Sequence, residues 1–130
     1  EMLLSSDTGT AIATSMGLGM IRFAKAYERL RPDVLLVLGD RYEMMSAVTA
    51  SVPFRIPVAH IHGGESTEGL IDEPIRHAVT KMSHLHFTST ERYKKRVMQM
   101  GEFPETVSLL QDYLIYCYGR EGNFRPSSYL

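Results

Sequence analysis

The sequence predicts an α/β fold, a doubly wound parallel sheet. Three observations point to it. Short strand-like segments recur at Val34–Leu38, Ile56–Ile61 and His84–Phe87. The stretches around them carry the 3.6-residue period of amphipathic helices. Gly, Pro and cap residues separate the two kinds of segment. Strands that alternate with helices in this way build right-handed βαβ units and hence a parallel sheet.

Each element follows from its residues. Ser5-Ser6-Asp7-Thr8-Gly9-Thr10 is a polar loop rich in helix caps. Ile12, Met16, Met20, Phe23, Tyr27 and Leu30 then recur at steps of three and four, and Pro32 ends that helix. Its methionines and aromatics read as core. Gly17 and Gly19 weaken it locally and would let another backbone approach. Val34–Leu38 is five apolar residues in a row, too short for a helix, and reads as a strand buried on both faces. Glu43–Ser51 reads as a helix with Met44, Ala47, Val48 and Ser51 on one side, closed by Pro53. Ile56–Ile61 is the second strand. Glu73 stands where an N-cap would, with Pro74 at the first helical position and Ile75, Val79 and Met82 as the apolar face. His84–Phe87 is the third strand. Thr88-Ser89-Thr90-Glu91 resembles a capping box, opening a helix that runs through Met100 and stops at Gly101.

A chain of 130 residues suits one domain and can bury a real core. The net charge of −1 gives no reason to expect nucleic acid or an anionic membrane as partner. No apolar run approaches a membrane span. The single cysteine, Cys117, cannot form an internal disulfide, which fits a reducing, cytoplasmic setting. The chain opens on Glu1-Met2-Leu3-Leu4, in mid-pattern and without a basic region, and reads as a fragment lacking a signal peptide.

Ligands in open α/β sheets sit beyond the carboxyl ends of the strands. The ionisable residues collect there. Asp40 follows a buried strand and Gly39, where it could serve as a base or cap the next helix; position alone leaves both open. HIHGGE, residues 60–65, leaves the second strand. His60 reads as a hydrogen-bonded core histidine, and His62, nearer the loop, as a site residue. His60, His62, His84 and His86 match no tight zinc spacing, so no metal is assigned. Gly63 and Gly64 would permit close backbone approach to a ligand. The pair is not a GxGxxG fingerprint and no Walker motif occurs, which excludes a dinucleotide or P-loop reading. Asp72 and Arg76, four apart at a helix start, could face each other as a salt bridge. Arg92–Arg96 reads as a solvated basic helix face.

Together the segments LGDRYE, HIHGGE and DEPIRHAVTKMSHLHF resemble the hydrolysing UDP-N-acetylglucosamine 2-epimerases of the sialic acid pathway. The match runs from about Leu4 to Val107. The resemblance implies a two-domain, glycosyltransferase-B-like fold with its site in the interdomain cleft. Residues 1–107 would be part of the Rossmann-like N-terminal domain. It implies a UDP-amino sugar substrate, elimination of UDP across C1–C2, and addition of water with inversion at C2. Asp40 and Asp72 match family catalytic acids. His62 stands where several relatives carry a glutamate, and Glu65 lies three residues on; both join the catalytic candidates. Arg41, Gly63, Gly64 and Arg76 are the expected substrate-binding residues, Arg76 by orienting a carboxylate. No cofactor is implied.

Residues 108–130 depart from the family pattern and read as an atypical tail, truncated or frameshifted. The second domain that the resemblance implies has no match in these residues, so the chain alone is expected to be inactive. Its absence would bare an apolar cleft wall and leaves a homo-oligomer open. Two other readings compete: a non-catalytic α/β domain that binds a sugar or a protein, and a glycosyltransferase-type domain with different chemistry.

Overall fold

A computed structural model describes residues 8–66, 71–112 and 114. The expectations for the opening loop before Thr8, for Cys117 and for the tail beyond 114 lie outside the described residues. The order is α1 (Gly9–Leu30), β1 (Leu35–Leu38), α2 (Tyr42–Ser51), β2 (Val58–Ile61), α3 (Asp72–Met82), β3 (Leu85–Thr88), α4 (Glu91–Gln99) and β4 (Val107–Leu109). The four strands are parallel and neighbour one another in chain order. Sequential order with right-handed crossovers places the connecting helices on one face of the sheet. A doubly wound sheet reverses its strand order at some point; the described strands run one way only.

The elements start and stop for local reasons. Thr8 caps α1 by accepting from the Ala11 N–H at 3.2 Å, and Arg31 closes it in a left-handed conformation. Ser15 and Gly19 are buried in α1, and Ser46 of α2 donates to the Met16 carbonyl at 3.1 Å. Small residues thus let the two helices meet closely, whereas Gly17 faces open space. α2 ends at Ser51, just ahead of Pro53, which sits in a 3-10 turn, Val52–Phe54.

Two predicted caps move. α3 begins at Asp72 rather than at Pro74, with Ile71 as its N-cap, so Asp72 and Glu73 lie inside the first turn, where the helix dipole favours them. α4 is capped by Thr90, which accepts from the Tyr93 N–H at 3.3 Å; the expected Thr88–Glu91 box does not form, because Thr88 still belongs to β3. The fourth strand, β4, has no counterpart in the periodicity reading: three residues are too few to show a pattern.

Val37, Val48, Val58 and Val79 form the central core, with Leu35, Met44, Ile75 and Met82 packed around them. A second cluster joins Tyr27, Ala50 and Ile56. The expectation that β1 is buried on both faces is corrected: Leu36 is 62% and Leu38 59% exposed, while Val37 between them is buried. Alternation sends Leu36 and Leu38 to the face the helices do not cover.

Tyr27 donates its buried hydroxyl to the Ala47 carbonyl at 3.0 Å, tying α1 to α2. Burial raises its pKa from 10.0 to about 12. The unfolded phenol therefore ionises first, and stability should fall as pH rises through that window. Tyr27→Phe should lower stability at neutral pH by about 1 kcal/mol and abolish this alkaline loss. Urea unfolding at neutral and alkaline pH checks both.

Candidate active site

The carboxyl ends of β1, β2 and β3 deliver Gly39-Asp40, His62–Glu65 and Ser89 to one rim. Arg76, in the second turn of α3, reaches across to them. Arg76 is only 4% exposed. Nε donates to Asp40 Oδ2 at 3.1 Å, and Nη2 forms a short contact to the same oxygen. Nη1 donates to Glu65 Oε2 at 3.1 Å and to the His62 carbonyl at 3.4 Å. One planar fork therefore binds two carboxylates that lie 25 residues apart in sequence.

Glu65 is a hub. Besides Arg76 it accepts from Ser89 Oγ at 2.7 Å and from His62 Nδ1 at 2.6 Å. Burial pushes its pKa up, but Ser89, His62 and Arg76 more than offset this, and the carboxyl stays below its ordinary range. A carboxylate can only accept, so Nδ1 of His62 carries a proton and Nε2 points elsewhere. His62 adopts a left-handed backbone, φ +65, unusual for a non-glycine residue and typical of functional turns.

Asp40 and Asp72 line the same cavity of about 310 Å3, together with Ile12, Arg41, Tyr42 and Ile71. Arg41 stands at its rim, its side chain 72% exposed and paired with Glu43 at 3.0 Å. Such an exposed pair is weak and leaves the guanidinium available.

Several expectations change. Asp40 does not cap α2; Arg41 occupies that position, and no side chain bonds there. Arg76 pairs with Asp40 and Glu65, not with Asp72. The glycine pair also packs tightly against its neighbours. A Cβ on Gly64 would come within 2.7 Å of the Tyr93 carbonyl and of Val97, and one on Gly63 within 3.0 Å of the His60 ring. Arg96, read as part of a solvated face, donates to the Gly64 carbonyl at 3.2 Å.

His60 is the core histidine expected, fully buried, and His84 accepts from the Val58 N–H. Among the described residues no three His, Cys, Asp or Glu side chains are placed to hold a metal ion. No helix among them is long and apolar enough to cross a membrane. Sequence reasoning missed Ser89 as a partner of Glu65. Its place just after β3 was the available signal, the same one that marked Asp40 and His62.

The family model described as UDP-N-acetylglucosamine 2-epimerase matches residues 1–111. The chain belongs to this family. It is 48% identical over 101 residues to a GDP/UDP-N,N'-diacetylbacillosamine 2-epimerase (hydrolyzing) of Campylobacter jejuni, a match covering 78% of this chain and 26% of that protein. It is 47% identical over 107 residues to the polysialic acid biosynthesis protein P7 of Escherichia coli, covering 82% and 27%. The chain thus spans about a quarter of the length of these curated relatives. Its fold is that of a Neisseria meningitidis UDP-GlcNAc 2-epimerase solved with UDP-GlcNAc bound: TM-score 0.72 at 21% identity, over 85% of this chain and 34% of that one. Family membership and fold agree with the glycosyltransferase-B-like, Rossmann-type sheet expected from the sequence.

The fork of Arg76 sets a stability test. Arg76→Leu should destabilise the chain by about 3–5 kcal/mol, because it removes the buried cation that two partly buried carboxylates share. Arg76→Lys should recover little, since a point charge cannot bind both acids at once. Gly64→Ala should lose more than about 2 kcal/mol through the clash with α4 and the left-handed backbone. Chemical denaturation of the three variants measures each loss.

Proposed function

We propose that this chain is the acid-bearing part of a hydrolysing UDP-sugar 2-epimerase. The observation that carries the reading is the meeting of Asp40 and Asp72 on one cavity at the carboxyl ends of parallel strands. The relatives' names share one substrate chemistry, a nucleotide-linked N-acetylated amino sugar. We assign the same class here, with UDP as the leaving group and no cofactor.

The reaction sets requirements these residues meet. The C2 proton of the sugar is not acidic enough to leave unaided. A positioned carboxylate takes it as the C1–O bond to UDP breaks. Water then adds at C1 of the glycal-type intermediate, and a proton returns to C2 on the opposite face. That return inverts the centre and calls for a second acid on the other side of the ring. Asp40 and Asp72 are the pair for this exchange. His62, with Nδ1 held by Glu65, offers Nε2 as a further proton carrier at the same rim. Arg41 faces the cavity with a charge suited to the departing diphosphate. The rest of the UDP contacts we assign to a second domain, so residues 1–107 act as part of the N-terminal one.

Two experiments test the reading. In a full-length chain carrying this segment, Asp40→Asn and Asp72→Asn should each lower kcat by about 10²-fold or more. Turnover unchanged in both would remove the site assignment. The 130-residue chain alone should release no UDP from UDP-N-acetylglucosamine in a coupled assay; a measurable rate would show that the second domain is dispensable.

A further inference from the structure

α3 reaches Asp40 by two routes. Arg76 holds its carboxylate. Four residues on, along the same helix face, lies Thr80, which is fully buried. Thr80 Oγ1 stands 3.2 Å from His60 Nδ1. His60 Nε2 stands 2.8 Å from the carbonyl oxygen of Gly39, the residue before Asp40. A carbonyl only accepts, so the ring proton sits on Nε2. In a ring kept neutral by burial, Nδ1 is then an acceptor, and the Thr80 hydroxyl donates to it. For that neutral imidazole the two bonds specify a single tautomer. Its burial agrees, pushing the His60 pKa down to about 4.

The bond to Gly39 bears on the acid. Gly39 has φ +78, and its N–H donates to the Ile61 carbonyl at 3.0 Å. Its own carbonyl shares one rigid peptide plane with the nitrogen of Asp40. A glycine before an acid gives that plane the widest freedom to turn. The His60 bond removes that freedom. Gly63 packs on the other side of the ring, where a Cβ would lie 3.0 Å from His60 Nδ1 and 3.1 Å from Thr80 Oγ1. The imidazole is fully buried, away from solvent.

We propose that His60 is a positioning residue: it fixes the Gly39–Asp40 peptide so that Asp40 presents its carboxylate to the cavity in one orientation, with Thr80 setting the tautomer. The consequence for catalysis rests on the reading of Asp40 given above.

NMR on the 130-residue chain tests the positioning without any turnover. The ¹⁵N shifts of His60 should show a neutral ring protonated at Nε2 at neutral pH. His60→Asn, which cannot reach Gly39, should shift and broaden the Asp40 amide and Arg76 Nε resonances. His60→Gln, whose amide nitrogen can reach it, should restore them. Thr80→Val should give the same signature in weaker form, and stands in if the asparagine variant does not fold. A ring protonated at Nδ1, or Asp40 resonances indifferent to these changes, would overturn the proposal. In a full-length chain, His60→Asn should lower kcat by about tenfold or more, with rescue by glutamine. KM should stay within about twofold. An unchanged kcat in a His60→Asn enzyme whose Asp40→Asn variant is inactive would also overturn it. If the NMR signatures appear but Asp40→Asn leaves turnover intact, the assignment of Asp40 to the reaction fails, while its positioning by His60 holds.

Discussion

The guanidinium of Arg76, shared between Asp40 and Glu65, organises the whole rim. Two carboxylates and a guanidinium brought out of water are unfavourable to desolvate. Their mutual bonds offset that, and the planar fork makes the arrangement directional. Arg76 can reach both acids only because α3 crosses beside the ends of β1 and β2. Strand register therefore becomes side-chain geometry: Leu38 pairs with Ile61, so Gly39-Asp40 and His62 leave the sheet at the same level.

Around that centre each rim loop is held by a neighbouring helix. α4 presses on Gly64 and donates Arg96 to its carbonyl. Ser89, at the end of β3, fixes Glu65, and Glu65 in turn fixes His62. The rim is thus held by hydrogen bonds among the chain's own side chains and backbone. The uncovered sheet face is the opposite case. Leu36 and Leu38 are apolar and exposed because alternation turns them away from the described helices.

Much of this was legible in sequence. The alternation of apolar runs with 3.6-residue periods located α1 to α4 and three of four strands within a few residues. The strand-end rule picked out Asp40, His62 and Glu65 before any coordinates. The failures have local causes. Thr90 rather than Thr88 caps α4 because β3 extends through Thr88, and a strand end is not marked by a run of threonines and serines. Helical spacing points Arg76 at Asp72, its i−4 neighbour, whereas its partners Asp40 and Glu65 come from other elements. Arg96 looked solvated because its partner is a backbone carbonyl 32 residues away.

The sequence by itself determined the class of fold, the parallel topology and the end of the sheet where ionisable groups gather. These depend on periodicity and on chain handedness, which are local properties of the polypeptide. Only the tertiary structure decided the pairings: Arg76 with Asp40 and Glu65, Ser89 with Glu65, His60 with Gly39 and Thr80. Each joins residues from different elements, and which side chains meet there depends on strand register and on where each helix lies across the sheet. No spacing along the chain encodes those distances.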